Sequence, residues 1–213
     1  MSGLGVSMII GGASSSSSAL ERCLFSALDQ SVPALEVVVI GGEPWQAFPR
    51  PLQAALVASH GAVVHWEETS PRGSIYEAAR EHAAGEIIGV LDGDSVVGSD
   101  WVASVVDALS SSTVDAVAGP VRYYDAEHIK LGRRGVRDIR MTQSAAGMNP
   151  SFLHGRNIAA RQSSWREVDS SEHSGSNAVL EDVELATKFF NAGKRVVYEP
   201  RMIVSVSASS VLR

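Results

Sequence analysis

Two pairs of carboxylates account for most of the chemistry this sequence could perform. The first is in Asp92-Gly93-Asp94, directly after the run Glu86-Ile87-Ile88-Gly89-Val90-Leu91. Two hard oxygen donors at the end of a buried strand suit Mg²⁺ or Mn²⁺, which bind a few protein carboxylates and take further ligands from phosphate and water. The same triplet also makes ordinary turns after strands, so its meaning depends on its surroundings. The second pair, Glu181-Asp182, heads an expected helix and follows a stretch rich in Gly, Ser and Asn. Acidic groups there complement the helix dipole in any protein, and a carboxylate facing a hydroxyl can also act as a general base.

Single residues add further candidates. Arg72 lies between Pro71 and Gly73, and His154 precedes Gly155. Arg72 could meet a phosphate and His154 a phosphate or a hydroxyl, although a lone loop His is more often incidental. Arg133, Arg134, Arg137 and Arg140 could bind phosphate or form a solvated helix face. Trp101 and Trp165 could stack on a sugar or simply pack. Cys23 falls on the apolar face of its helix and reads as core.

The elements that must position these residues alternate between strand and helix. Val6-Ser7-Met8-Ile9-Ile10 reads as a buried strand ended by Gly11-Gly12, and a second strand over 35–40 ends at Gly41-Gly42. Between them a helix carries Leu20, Cys23, Leu24, Ala27 and Leu28, with Ser18 and Glu21 spaced as a capping box. The serines at 14–18 read as a surface loop. A helix over 52–59, a strand over 62–66 and a helix over 74–84 capped by Gly85 lead to the strand before Asp92. A helix capped by Ser99, a strand over 114–118, a helix over 180–191 ended by Gly193, and strands over 195–198 and 202–206 complete the pattern. Such alternation predicts an α/β fold with a mainly parallel sheet, whose ligands bind beyond the carboxyl ends of the strands. Gly11-Gly12, Gly41-Gly42 and Asp92-Gly93-Asp94 all fall there.

Composition narrows the class. With 213 residues, 45% hydrophobic and 20% charged, the chain can bury one sizeable core, and we expect a single domain over 1–213. The net charge of −6 argues against a nucleic-acid partner, which calls for a dominant basic surface. One cysteine excludes an internal disulfide and any cysteine-based zinc site. No apolar stretch reaches the length of a membrane span. A cytoplasmic location is expected, with peripheral membrane association compatible and the oligomeric state left open.

The order of motifs resembles the family 2 glycosyltransferases of the GT-A fold. The matching pieces begin with the first strand, Leu20-Glu21-Arg22-Cys23-Leu24, Gln30-Ser31-Val32-Pro33 and Leu35-Glu36-Val37-Val38-Val39-Ile40. They continue with Ala84-Gly85-Glu86-Ile87-Ile88 into Leu91-Asp92-Gly93-Asp94, and with Gly155-Arg156-Asn157-Ile158-Ala159-Ala160-Arg161. Glu181-Asp182-Val183-Glu184-Leu185 and Ala192-Gly193-Lys194-Arg195-Val196-Val197-Tyr198-Glu199-Pro200 close the series. The resemblance implies a GT-A (Rossmann-like) three-layer sandwich, with a nucleotide-sugar-binding half over 1–119 and an acceptor-binding half over 120–213.

It also implies a metal-dependent, inverting transfer of sugar from a nucleotide-sugar donor to a hydroxyl of a saccharide, lipid-linked or small-molecule acceptor. Asp94, with Asp92, would hold Mn²⁺ or Mg²⁺ on the donor diphosphate, and Asp92 would also contact the ribose. Asp182 would be the catalytic base, with Glu181 beside it. Gly11, Gly12, Glu43 and Arg72 would lie on the donor side, and His154, Gly155 and Asn157 on the acceptor side.

The chain departs from the family pattern at several points. Gly41-Gly42, followed by Glu43, stands where an Asp pair usually reads the donor base, so Glu43 becomes the substitute. Gly11-Gly12-Ala13-Ser14 replaces a Pro-Thr-Tyr-Asn-like stretch. Ser205-Val206-Ser207 stands where many members place a metal-binding His, and the Gln-x-x-Arg-Trp signature of processive members is absent. The alternative reading is therefore a catalytically silent GT-A domain acting as a binding or scaffold module. A nucleotidyltransferase would want a Lys-rich phosphate loop, and 11–18 contains no Lys or Arg. A dinucleotide fold fails because no Gly-x-Gly-x-x-Gly follows either strand.

Overall fold

The structure, a computed structural model, describes residues 4–12, 15–41, 47–51, 53–54, 63–67, 75–124, 157–168 and 178–207. In chain order the first elements are β1 (Val6–Gly11), α1 (Ser17–Leu28), β2 (Glu36–Ile40), β3 (Val63–Glu67), α2 (Ile75–His82) and β4 (Ile87–Asp92). They are followed by β5 (Val96–Val97), α3 (Trp101–Ala108), β6 (Ala116–Ala118) and β7 (Val121–Tyr123). The last are β8 (Ile158–Arg161), α4 (Gln162–Glu167), α5 (Ala178–Asn191), β9 (Val196–Tyr198) and β10 (Val204–Val206).

Seven strands form the main sheet in the order β3-β2-β1-β4-β8-β6-β9. All run the same way except β8, which is antiparallel to both of its neighbours. A smaller sheet, β5-β10-β7, pairs β10 antiparallel to β5 and parallel to β7. Strands β1, β2, β4, β6 and β8 of the main sheet are buried on both faces. Met8, Ile10, Val37, Val39 and Leu91 join one apolar cluster with α1, α3 and the small sheet, while Ile9, Val38, Ile88 and Val90 join another with α2, α4 and α5. Side chains alternate across a strand, so a continuous apolar run feeds both cores and helices cover both faces. The mixed α/β, three-layer architecture of the GT-A type is the one the motif order predicts.

Trp165 centres the second core. Its ring stacks on Tyr76 at 5.6 Å and meets Phe189 edge-on at 5.3 Å, and its indole N–H donates to the Ile88 carbonyl at 3.2 Å. At 2% exposure it is packing and cannot stack on a sugar, which settles the choice left open by its sequence position.

Local chemistry explains where the elements start and stop. Ser16 caps α1, its hydroxyl accepting from the Ala19 N–H, so the Ser18–Glu21 box is not used and the helix takes in Ser17 and Ser18. Asp100 rather than Ser99 precedes α3, without a side-chain cap bond, because Ser31 donates to the Asp100 carboxylate at 2.7 Å. Gly193 ends α5 as expected, at φ 67. The Gly193 and Lys194 N–H groups donate to the Phe190 and Phe189 carbonyls, the pairing of a Schellman motif.

Gly85 serves a different purpose from the C-cap expected of it. A Cβ there would lie 2.7 Å from Ser7 Oγ and 2.8 Å from the Gly5 carbonyl, so the residue is glycine because β1 passes close by. Its N–H donates to Ser7 Oγ, and Ser7 in turn donates to the buried Glu36 carboxylate at 2.5 Å. The same Glu36 oxygen accepts from the Ala84 N–H at 2.6 Å. One acidic side chain thus ties together the start of β2, the body of β1 and the approach to β4. Hydrogen bonds to a charged group contribute about 1.5–3 kcal/mol. Glu36→Ala is therefore expected to lower the unfolding free energy by about 2–3 kcal/mol, read from the urea midpoint; an unchanged midpoint would show that the tie contributes nothing.

Candidate active site

The carboxyl ends of the central strands meet at one line. Gly11, the last residue of β1, stands between Ile40 of β2 and Asp92 of β4 in the ladder. The Gly12 N–H donates to the Ile40 carbonyl at 2.9 Å. A Cβ on Gly12 would lie 2.7 Å from the Gly41 carbonyl, and Gly41 has φ 71. Glycine is required at both positions by the close passage of the two strand ends, whatever ligand they face.

Beyond β4 the chain turns back at once. The Ser95 N–H donates to the Asp92 carbonyl at 3.0 Å, and the Gly93 N–H donates to the Gly11 carbonyl at 2.8 Å. A Cβ on Gly93 would meet that carbonyl at 2.6 Å and Ser15 Oγ at 2.7 Å. The turn therefore lies tight against the end of β1, with Asp92 and Asp94 both part-exposed at its edge. No hydrogen bond or ion pair to another described residue engages the Asp94 carboxylate. Beneath the turn, the Cys23 thiol faces the Asp92 carbonyl at 3.6 Å. Burial, then the negative charges of Asp94 and Asp92, push that thiol far above its ordinary range, so it stays neutral. Ser95 is fully buried, and its hydroxyl has no hydrogen-bond partner among the described residues.

These residues fit a divalent cation. The donors are hard oxygens, and among the described residues the Asp94 carboxylate has no hydrogen-bond partner and the next residue, Ser95, has an unpaired buried hydroxyl. Among the described residues no three His, Cys, Asp or Glu side chains gather into one cluster. Asp92 and Asp94 thus offer a two-carboxylate platform that a diphosphate and water would complete.

The platform is held from below and behind. Gln30 donates to the Ser26 and Gly98 carbonyls at 2.8 and 2.9 Å and accepts from the Val102 N–H at 3.0 Å. Ser31 N–H donates to the Ser99 carbonyl at 2.8 Å, and Ser26 Oγ accepts from the Val97 N–H at 3.1 Å. The Gln30-Ser31 motif therefore fastens the end of α1 to the segment that follows the turn. Trp101 begins α3 and lies under β4, where a Cβ on Gly89 would come 2.4 Å from its ring. At 0% exposure it also packs and is not a sugar platform.

Asn157 stands opposite this tryptophan. Its Oδ1 accepts from the Trp101 indole at 2.9 Å, and its Nδ2 donates to the Pro120 and Met202 carbonyls at 3.0 and 2.7 Å. The side chain is completely buried. This corrects the expectation that Asn157 binds the acceptor: its amide is used up within the protein, and it shapes the entry to β8 without touching a ligand.

Glu181 and Asp182 are the fourth and fifth residues of α5, which begins at Ala178. The helix starts earlier than the expected 180, so the pair closes its first turn instead of opening it. Glu43, Arg72, His154, Gly155 and the arginines at 133, 134, 137 and 140 lie outside the described residues. The sequence reading missed Ser95 and the anchoring roles of Gln30 and Asn157. The signal available was a polar residue within an otherwise apolar stretch, and that does not reveal its partner.

Comparison with known proteins agrees with this architecture. A family model described as "Glycosyltransferase like family 2" matches residues 5–211, and the chain belongs to that family. Among solved structures it is similar to the mannosyltransferase PcManGT from Pyrobaculum calidifontis, in complex with GDP-Man and Mn²⁺. The two share 22% identity and a TM-score of 0.65 over 96% of this chain and 57% of that one. It is also similar to GalNAc-T7 with UDP, GalNAc and Mn²⁺, at 14% identity and a TM-score of 0.68 over 97% of this chain and 44% of that one. The chain thus spans about half the length of these two neighbours. No curated protein matches it.

Trp101→Phe removes the indole N–H, leaving Asn157 Oδ1 buried without a donor, and also removes the distal ring atoms that lie against Gly89. An orphaned buried acceptor costs about 1–3 kcal/mol. The substitution is expected to lower thermal stability by at least that amount in calorimetry, since it also leaves a cavity; a wild-type melting curve would show the bond to be dispensable.

Proposed function

We propose that this chain transfers a sugar from a nucleotide-sugar donor to a hydroxyl of a saccharide, lipid-linked or small-molecule acceptor, inverting the anomeric carbon and requiring a divalent cation. The observation that carries this reading is the Asp92–Ser95 turn, pressed against the end of β1 with an uncommitted Asp94 carboxylate. It lies where ligands of such sheets bind, in a chain whose family transfers sugars. The two neighbouring structures, both described with Mn²⁺, support the cation.

On this reading 1–119 forms the donor half and 120–213 the acceptor half of a single domain. Gly11 and Gly12 let the donor approach the backbone, while Glu43 and Arg72 supply polar and cationic contacts to it. Asp92 supports the ribose and, with Asp94, holds the cation. When bound, Mn²⁺ or Mg²⁺ supplies a Lewis acid to the departing diphosphate. Asp182, next to Glu181, takes the acceptor proton as the hydroxyl oxygen attacks the face opposite the leaving group. His154 and Gly155 line the acceptor side. Among the described residues no helix is long and apolar enough to cross a membrane, and a cytoplasmic enzyme with at most peripheral membrane contact fits that.

A second reading, a silent domain that binds or scaffolds, is favoured by one observation. Gly12 and Gly41 are accounted for by packing against each other, so the end of β2 needs no donor to explain it.

Calorimetric titration with UDP, GDP, CDP and TDP, with and without Mn²⁺, separates the two. Transfer chemistry predicts that one nucleotide binds in a Mn²⁺-dependent way, and that Asp94→Asn weakens it by about tenfold or more. A folded sample that binds none of the four would leave the silent domain. Once a donor is known, Asp182→Asn is expected to lower kcat by about 10²–10⁴-fold with nucleotide affinity unchanged; a kcat near wild type would remove Asp182 from the role of base.

A further inference from the structure

The Asp92–Ser95 turn contains one polar group that its packing does not explain. The Ser95 N–H is used by the Asp92 carbonyl and the Gly93 N–H by the Gly11 carbonyl, and the Asp92 carbonyl also faces the Cys23 thiol. The Ser95 side chain is 0% exposed and its hydroxyl has no partner, while the adjacent Asp94 carboxylate has none among the described residues. A buried hydroxyl without a partner is destabilising, and replacing it by an apolar group of similar shape is close to neutral or favourable. Ser104 shows the ordinary arrangement: equally inaccessible at 2%, it donates to the Asp100 carbonyl at 2.7 Å. Ser95 therefore carries a cost that nothing among the described residues offsets.

We infer that Ser95 is a positioning residue for the cation-loaded turn. With a divalent cation held by Asp94, the Ser95 hydroxyl would donate to that carboxylate and fix its orientation. Outer partners of this kind orient a ligating carboxylate, and a hydrogen bond to a charged acceptor is stronger than one to a neutral group. Ser95 thus acts through Asp94 and touches neither the cation nor the donor. The inference rests on the cation reading of the preceding subsection.

The test needs no turnover. Binding of Mn²⁺ is followed by the electron paramagnetic resonance signal of the free ion, with UDP, GDP, CDP and TDP in turn, for wild type, Ser95→Ala and Ser104→Ala. Melting of each protein is recorded without metal. Ser95→Ala is expected to melt at or up to about 2–4 °C above wild type, yet to bind Mn²⁺ with nucleotide about tenfold more weakly. Ser104→Ala is expected to show the reverse: a lower melting temperature and unchanged Mn²⁺ binding. Wild-type Mn²⁺ affinity in Ser95→Ala, or a lowered melting temperature, would overturn the assignment while leaving the cation site intact. Failure of the wild type to take up Mn²⁺ with any of the four nucleotides would instead overturn the cation reading itself, and this inference with it.

Discussion

The hydrogen bond from the Gly93 N–H to the Gly11 carbonyl is the contact around which the rest of the candidate site is arranged. It extends the β1–β4 pairing one step past Asp92 and bends the chain where the strand ladder would otherwise fray. A side chain at position 93 would break it, because its Cβ would lie inside the contact distance of that carbonyl. The two carboxylates of the turn are therefore placed by backbone geometry, and the sheet sets that geometry. A rigid scaffold presenting reactive groups at the carboxyl edge of its strands is the general logic of such folds.

Several supports converge on this edge from different parts of the chain. From the α1 side, Gln30 and Ser31 grip the segment over 98–102. From behind, Trp101 fills the space left by Gly89 and passes its indole N–H to Asn157. At the far end of the strands, Glu36 and Ser7 fix the level at which β1, β2 and the approach to β4 begin. Buried polar groups of this sort are favourable only when fully satisfied, and the Asn157 amide shows such accounting, with one acceptor and two donor bonds. Ser95 is the contrast, inside the same few residues.

The parts of the fold carried by long apolar runs were legible in the sequence. Val6–Gly11, Glu36–Ile40 and Ile87–Asp92 are buried on both faces, and a continuous apolar run announces that directly. The cap at Gly193 was legible because its chemistry is local. Strand β8 was not: Ile158-Ala159-Ala160-Arg161 is short and rich in alanine, and its neighbours β4 and β6 are set by tertiary pairing alone. The same holds for the two-residue β5 and for the small sheet, in which β10 pairs apart from the main sheet. For the candidate site, sequence spacing located the Asp92-Gly93-Asp94 turn. It misjudged Asn157, because a polar residue in a recurrent motif looks the same whether its amide faces a ligand or a neighbouring carbonyl.

Strand β8 has one more implication, for the order in which the molecule can assemble. It is inserted between β4 and β6, pairing Ile158 with both Val90 and Ala118, although β4, β6 and β7 all precede it in the chain. During vectorial synthesis the stretch through β7 can therefore pair β1, β2, β3 and β4, but one flank of β4 must wait for residues made much later. Until then that flank presents unpaired backbone groups beside the fully buried side chains of Ile87, Ile88 and Leu91, a template for pairing with another chain. Closing so long a loop is slow compared with local contacts. The native sheet is thus sewn together by a late strand, and the vulnerable stage in the life of the protein is the interval before that stitch is made.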